Sequence, residues 1–512
     1  MLGVSHQTRI RSIIQRVDSL LRDYALAFGS AICVVFAASA IRHDILDLYW
    51  LDELLGLAAA NVPSWTAIIQ ALSRGVDFNP PVYPVLAHTV IQAIGPTPLA
   101  FRLPATTGFI IFMVCLYLFT RRRLSAPYGL VAMLVPICTP VSEYAWDGRP
   151  YGVVLGFLGI SMVAWQAGVD GQKRPLSLSL LALCLAAASA THYYAILLLF
   201  PFALGELSRL VQVKKIDWPI TAAILLPLLT LIALLPLLTA HRAYLQHNES
   251  RGLPLMGLVY MLSDFSIYPG ILIGIAALAL SFSLLPGSKS GQREAEEEGF
   301  RVHEVFFMLG LTALPLLGAV VNTITHAYLS RYFLGAVGGI SLVFTALLSR
   351  SSSRHQGVAV IAFLALFCYA AARWSFPLLH RPAPPQVPLA ELSGAEEPLL
   401  MEDISDCLLA DHYWRSGMKP WCLADPPESL RLQGFDSDDF LLLALRRVQG
   451  IRVDSYDHFA REHPKFLFLP SQRSIGWAFK KLREKQAQLK VSNRFHANLV
   501  YEVDLGLIPS SR

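Results

Sequence analysis

Two adjacent carboxylates, Asp52 and Glu53, stand directly after the first long apolar run, in "YWLDELLGL". Further along, "YAWDGRPYG" sets Asp147 two residues before Arg149, and "THYYA" sets His192 beside Tyr193. "NTITHAYLSRYF" places His326, Arg331 and Tyr332 at the head of another apolar run, and "FRLPA" places Arg102 at the head of one more. A carboxylate can take the proton of a hydroxyl nucleophile. A guanidinium offers a fork of donors that matches phosphate oxygens two at a time. Gathered together, such residues fit transfer of a group from a phosphate leaving group to a hydroxyl. Each also has a plainer reading: Asp52 and Glu53 as solvated charges ending a helix, and Asp147 with Arg149 as a local ion pair worth little in water. The choice between the readings turns on which elements hold these residues and on which side of a membrane.

The 512 residues are 54% hydrophobic and 15% charged, with a mean hydropathy of +0.48. That is far more apolar than a soluble domain and indicates an α-helical polytopic membrane protein. A span needs about 20 apolar residues. Runs at 25 to 41, 103 to 120, 126 to 142, 151 to 168, 176 to 190, 193 to 212, 218 to 238, 268 to 286, 304 to 322, 332 to 349 and 357 to 375 make eleven expected spans. Residues 1–24 carry Arg9, Arg11, Arg16 and Arg22 on an amphipathic segment, without a small-residue cleavage site after the first run, and read as a cytoplasmic N-terminus before a retained helix.

Lys and Arg are retained on the cytoplasmic side, and the basic clusters Arg121 to Arg123, Lys173–Arg174, Lys214–Lys215, "KSGQREAEEEGFR" and "RSSSRH" fall in every second gap. The apolar piece from Pro81 to Ile94 breaks this alternation if it crosses, so it is read as an interfacial helix in a first external loop, 42–101. A companion helix is expected from an N-cap at Ser64 to a glycine stop. Every segment bearing the candidate residues then faces outward.

The membrane domain is expected over 25–376. Residues 377–512, richer in charge, are expected to form a soluble extracytoplasmic α/β domain, with helix-like "EEPLLMEDISDCLLADHYW" and "SIGWAFKKLREKQAQL" and strand-like "KFLFLP" and "ANLVYEVDL". In an oxidising compartment Cys407 and Cys422 form either a disulfide or two free thiols. The modest net charge of +5 comes from short basic clusters between apolar runs, which excludes nucleic acid as a partner. Neither GxxxxGK[ST] nor a GxGxxG after a strand occurs, so no nucleotide pocket is indicated.

Six segments, "WLDE", "NPPVYPVLAH", "FRLPA", "YAWDGRPYG", "THYYA" and "LSRYF", occur in an order and spacing that resemble the GT-C glycosyltransferases. They are most similar to the branch of protein O-mannosyltransferases and the lipid A aminoarabinose transferase, glycosyltransferase family 39-like, over roughly residues 20 to 350. The resemblance implies an inverting transfer of a sugar from a polyprenyl (undecaprenyl-type) phosphate donor to a hydroxyl on a lipid, glycan or protein acceptor at the extracytoplasmic face. A donor arriving through the bilayer needs no nucleotide pocket.

On this reading Asp52 is the general base, and Glu53 orients the acceptor or tunes its neighbour. Arg149 and Arg331, with Arg102, hold the donor phosphate, and His192, Tyr193, Tyr83, Tyr332 and His326 line the substrate. Asp147 positions Arg149, holds the acceptor, or ligates a divalent metal with His192 or His326. No other cofactor is called for, and the remaining partners are membrane lipids. The chain departs from the family pattern at Asn79, where a histidine is common, and at Asp147-Gly148-Arg149, where Glu-Ala-Arg is common.

The rival classes are a membrane transporter and a non-catalytic glycolipid-binding protein of the same fold. Transporters usually keep charged groups near the midplane in two related halves, whereas here the charges sit at one rim and no internal symmetry is evident. A bacterial inner membrane is the expected location.

Overall fold

The computed structural model describes residues 2–244, 299–325, 329–352, 357–379, 389–414, 419–471, 476–492 and 499–506. The expected span at 268 to 286 and the residue His326 lie outside them. The chain divides into two compact units. Met1–Ile45, Arg102–Ala233 and Arg251–Pro382 form the first, and Leu46–Phe101, Leu234–Ser250 and Ala383–Arg512 the second.

Six described helices are long and apolar enough to cross a bilayer: Ala25–Leu46, Pro98–Arg121, Tyr151–Val169, Tyr193–Val213, Trp218–Arg242 and Val358–Ser375. Val302–Thr312 and Leu314–Thr323 make a seventh if taken as one span, bent by 50° at the break. Pro315 accounts for the bend, because it has no N–H to give the carbonyl of Leu311 and its ring crowds that carbonyl. The spans expected at 126 to 142, 176 to 190 and 332 to 349 are the shorter helices Ala126–Ile137, Arg174–Ser189 and Ala336–Ser352. The protein is an α-helical polytopic membrane protein.

Within lipid no hydrophobic force draws helices together, so close packing must do it. In the first unit the helices Pro98–Arg121 and Tyr151–Val169 meet through Ala105 and Gly108 on one side and Gly152 and Gly156 on the other. A Cβ on Gly108 would overlap the carbonyl of Gly152, and one on Gly152 would overlap that of Ala105. This backbone contact fixes the ends of both helices, where Arg102 and Arg149 stand.

Several of the described charges in this unit are paired. Arg123 donates from Nε to Glu304 Oε1 at 2.9 Å and from Nη2 to Asp170 Oδ1 at 2.8 Å, while Gln166 Nε2 donates to the same Glu304 oxygen at 2.8 Å. Arg209 bridges Glu206 at 2.7 Å and Asp217 at 2.9 Å, and Trp165 Nε1 donates to Glu206 at 2.7 Å. Arg123, in one of the basic turns expected on the cytoplasmic side, thus serves acids as a partner as well as a topological signal.

The second unit contains the helices of the first loop, Leu51–Ala60, Trp65–Ser73 and Val82–Ile94. Ser64 caps as expected, its Oγ accepting from Ala67 N at 3.2 Å, and Gly75 follows the helix at φ 81°. The same unit holds a six-stranded sheet of β1 (Leu399–Met401), β2 (Trp421–Leu423), β3 (Val453–Asp454), β4 (Lys465–Leu469), β5 (Gln488–Val491) and β6 (Tyr501–Asp504). Its order is β3-β2-β1-β4-β6-β5, parallel from β3 to β4, with β6 antiparallel to both β4 and β5.

The helix-like stretch from Glu396 therefore begins as a strand: Leu399, Leu400 and Met401 are all buried, as suits a central parallel strand, and the helix starts only at Ile404. Likewise "SIGWAFKKLREKQAQL" yields the helix Trp477–Glu484 and then β5. Cys407 and Cys422 form a disulfide that ties the Ile404–Tyr413 helix to β2.

Candidate active site

In the first unit, a 3-10 turn over Pro140–Ala145 leads into Trp146-Asp147-Gly148-Arg149-Pro150, and Arg149 N donates to Asp147 O at 2.6 Å to tighten this bend. Pro150 then starts the helix Tyr151–Val169, where a missing N–H costs nothing. Arg149 is buried at that helix head. His192 ends the turn after the Arg174–Ser189 helix, in extended backbone, and starts the 3-10 segment Tyr193–Leu198. Arg331 and Tyr332 sit on a third 3-10 turn, Ser330–Phe333.

Three distant pieces of chain converge here. The His192 ring lies 5.5 Å from that of Tyr151 and 4.8 Å from that of Tyr332, and Tyr332 stacks on Tyr194 at 4.7 Å. Tyr194 Oη and Thr325 Oγ1 are 2.8 Å apart, which fixes the stack to the helix before Arg331. Burial first, and then the charges of Arg149 and Arg331, push the His192 imidazole down to about 3. At neutral pH the imidazole is therefore uncharged, with the guanidinium groups of Arg149 and Arg331 near it. His192, Arg331 and Tyr332 border a narrow cavity with Tyr151 and Tyr194.

Asp147 is half-buried in the bend, and Tyr193 is half-buried at the start of its 3-10 segment. Among the described residues, the one group of three potential ligands with atoms within 4.8 Å of one another is Asp454, His458 and Glu462. There the imidazole nitrogens face separate carboxylates, Nδ1 to Asp454 at 2.6 Å and Nε2 to Glu462 at 3.5 Å, rather than converging on one ion.

Arg102 is fully buried, and its Nη1 donates to the carbonyls of Asp44 at 3.1 Å and His43 at 3.4 Å. Thr106, one turn on, donates to Asp44 Oδ2 at 3.0 Å. Arg102 thus fastens the end of the Ala25–Leu46 helix. Asp44 went unnoticed in the sequence because the apolar run stops at Ile41; the helix continues past it and carries the acid inward. His43 stacks on Trp146 at 4.6 Å, which joins the same helix end to the Asp147 bend.

The acid pair belongs to the second unit. Asp52 and Glu53 occupy the first turn of the Leu51–Ala60 helix, where the exposed backbone N–H groups favour negative charge. Glu53 is buried and accepts from Trp50 N at 3.3 Å, while Asp52 remains half-exposed. Tyr83 is buried and donates to Phe101 O at 2.9 Å. Asn79 donates from Nδ2 to Asp77 Oδ1 at 2.8 Å, so the residue standing where the family pattern has a histidine holds a buried acid. Asp77 is a further residue that the sequence did not single out, since a lone acid in a loop carries no periodic signal.

No protein-family model matches the chain, and no curated protein matches it. Two solved structures of ArnT from Cupriavidus metallidurans share its fold. The apo form superposes with a TM-score of 0.51 at 12% identity over 94% of this chain and 97% of that one. The form bound to undecaprenyl phosphate superposes with a TM-score of 0.55 at 12% identity over 96% and 99%.

Proposed function

We propose, with the ArnT-like GT-C fold as premise, that this integral membrane protein is an inverting glycosyltransferase that moves a sugar from a polyprenyl phosphate to a hydroxyl acceptor. The observation that carries the reading is the convergence of Arg149 and Arg331 on a neutral, buried His192. Guanidinium forks at helix heads have the donor geometry that a lipid phosphate needs. The undecaprenyl phosphate bound by the structural neighbour supports the same donor class.

In the reaction the acceptor oxygen attacks the anomeric carbon as the bond from that carbon to the phosphate oxygen breaks, with inversion at the sugar. Asp52, the half-exposed member of the acid pair, takes the acceptor's proton. Glu53 serves by holding the helix that presents Asp52. Arg149 and Arg331 stabilise the charge that grows on the departing phosphate. Arg102 acts indirectly, by fixing the helix end beside the Asp147 bend, and Tyr83 likewise anchors the chain before it. His192, Tyr193 and Tyr332 line the donor niche, with His326 a further lining residue. Asp147 orients Arg149 through the tight bend.

The disulfide between Cys407 and Cys422 supports an oxidising location for the second unit, consistent with catalysis on the extracytoplasmic face of a bacterial inner membrane. The acceptor belongs to the lipid, glycan or protein class. Purified protein in liposomes with labelled polyprenyl-phosphate sugars tests the reading: the parent should transfer label to an acceptor, and Asp52→Asn should lower turnover at least a hundredfold. Unchanged turnover in the variant would remove Asp52 as the base.

A further inference from the structure

The second unit holds an open cleft of ≈ 390 Å³ between the Leu51–Ala60 helix and the helices Ile404–Tyr413 and Ser437–Gln449. That volume lies at the small end of the range for small-molecule sites. Leu54, Leu57 and Asn61 approach it from one face of the first helix, at i, i+3 and i+7, and Leu408 and Val448 complete an aliphatic floor.

The polar members are Asn61, Asp411, His412 and Gln449. The two amides each offer donors and an acceptor. Burial lowers the His412 pKa against the opposing charge of Asp411, so the ring is neutral at pH 7 and presents one donor and one acceptor. Asp411 has Lys419 Nζ at 3.5 Å, which leaves the lining close to neutral. A phosphate would meet the Asp411 carboxylate, and an acyl chain would find no hydrogen-bonding use for the polar rim. A hydroxyl-rich ring with one apolar face matches both the floor and the rim.

This cavity is separate from the reacting acid. At 100° and 1.5 Å per residue, Asp52 lies roughly 160° round the helix from Leu54 and roughly 14 Å along it from Asn61. We propose that the cavity binds a pyranose ring in the carbohydrate portion of the acceptor, remote from the hydroxyl that reacts. Assigning the ring to the acceptor rests on the glycosyltransferase reading; sugar binding itself does not. Binding at a distance from the reacting centre is one way such an enzyme selects its acceptor.

The test uses the full chain in lipid nanodiscs, titrated with maltose, N,N′-diacetylchitobiose and glucosamine and followed by hydrogen exchange at 54–61 and 408–412. At least one sugar should bind saturably and slow exchange in both segments. Gln449→Trp, at an exposed position on the last turn of its helix, should fill the cavity and weaken that binding at least tenfold, while Gln449→Ala weakens it less. Failure of all three sugars to bind, or equal binding by Gln449→Trp, overturns the proposal. In the liposome assay Gln449→Trp should raise the acceptor KM about tenfold with kcat and donor KM unchanged; an unmoved acceptor KM, with sugar binding lost, overturns the assignment to the acceptor. Sugar binding in a protein that transfers nothing would instead count against the catalytic reading and leave the cavity's ligand class standing.

Discussion

Arg123 reaches across 181 positions of sequence to put its Nε 2.9 Å from Oε1 and 3.0 Å from Oε2 of Glu304, a carboxylate with no exposed surface. Gln166 and Arg123 both donate to that carboxylate, and Asp170 shares the guanidinium. Glu304→Gln removes the charge and leaves Arg123 with only part of its compensation. Breaking a buried pair in this way costs about 3 kcal/mol or more. Thermal unfolding in detergent should show a clear fall in midpoint for Glu304→Gln, and the double variant Arg123→Met with Glu304→Leu should regain much of it by replacing both charges with apolar volume. Equal midpoints for parent and Glu304→Gln would show that the network adds no stability.

The niche around His192 makes a separate prediction about charge. Burial, and then two nearby guanidiniums, hold the imidazole neutral, so His192 contributes no inflection to activity between pH 5 and 8. Arg331→Gln removes one positive charge, and the His192 titration moves upward, as histidine-selective carbon-13 NMR would register. If Arg331 holds the donor phosphate as proposed, the same substitution should raise the donor KM at least tenfold. Arg331→Lys should restore the charge and only part of the donor affinity. A donor KM indifferent to both substitutions would place the phosphate elsewhere.

Much of this architecture is legible in the chain because apolar runs of bilayer length and a serine cap at Ser64 act through neighbours close in sequence. The shared fold of residues 20 to 350 was legible through six short segments in order. What the chain conceals are pairings between distant positions. Arg102 and Arg149 both head apolar helices, yet one donates to the carbonyls of His43 and Asp44 while the other bears on His192. Only tertiary contacts separate those cases. The helical pattern from Glu396 misled because a short central strand, buried on both faces, has no alternation to mark it.

Asp439 gives the second unit a dependence on pH. It is buried at the start of the Ser437–Gln449 helix, and burial, only partly offset by hydrogen bonds such as that from Asp425 N at 2.7 Å, pushes its carboxyl up to about 7. Between pH 4 and 7 the folded state therefore binds more protons than the unfolded state. Stability of this part falls as pH rises through that window and levels off above it, by an amount on the order of a few kcal/mol. Hydrogen-exchange protection over 437–449 in the full chain should fall from pH 5 to pH 8 after correction for intrinsic rates. Asp439→Asn should flatten the profile, and a parent profile already flat would remove the carboxyl as its source.

The disulfide offers a test of compartment as well as stability. Cys407 and Cys422 are 15 positions apart and both buried, so the bond closes a short loop between the Ile404–Tyr413 helix and β2. A loop of that length contributes about 3 kcal/mol by restricting the unfolded chain. Cys407→Ser with Cys422→Ser should loosen exchange protection in β1, β2 and the Ile404–Tyr413 helix, while leaving the paired charges around Arg123 as protected as before. Protein from intact cells, alkylated before lysis, should show both thiols blocked by oxidation if the unit folds outside the cytoplasm. Thiols that alkylate freely in living cells would place this unit in a reducing compartment and reverse the proposed orientation.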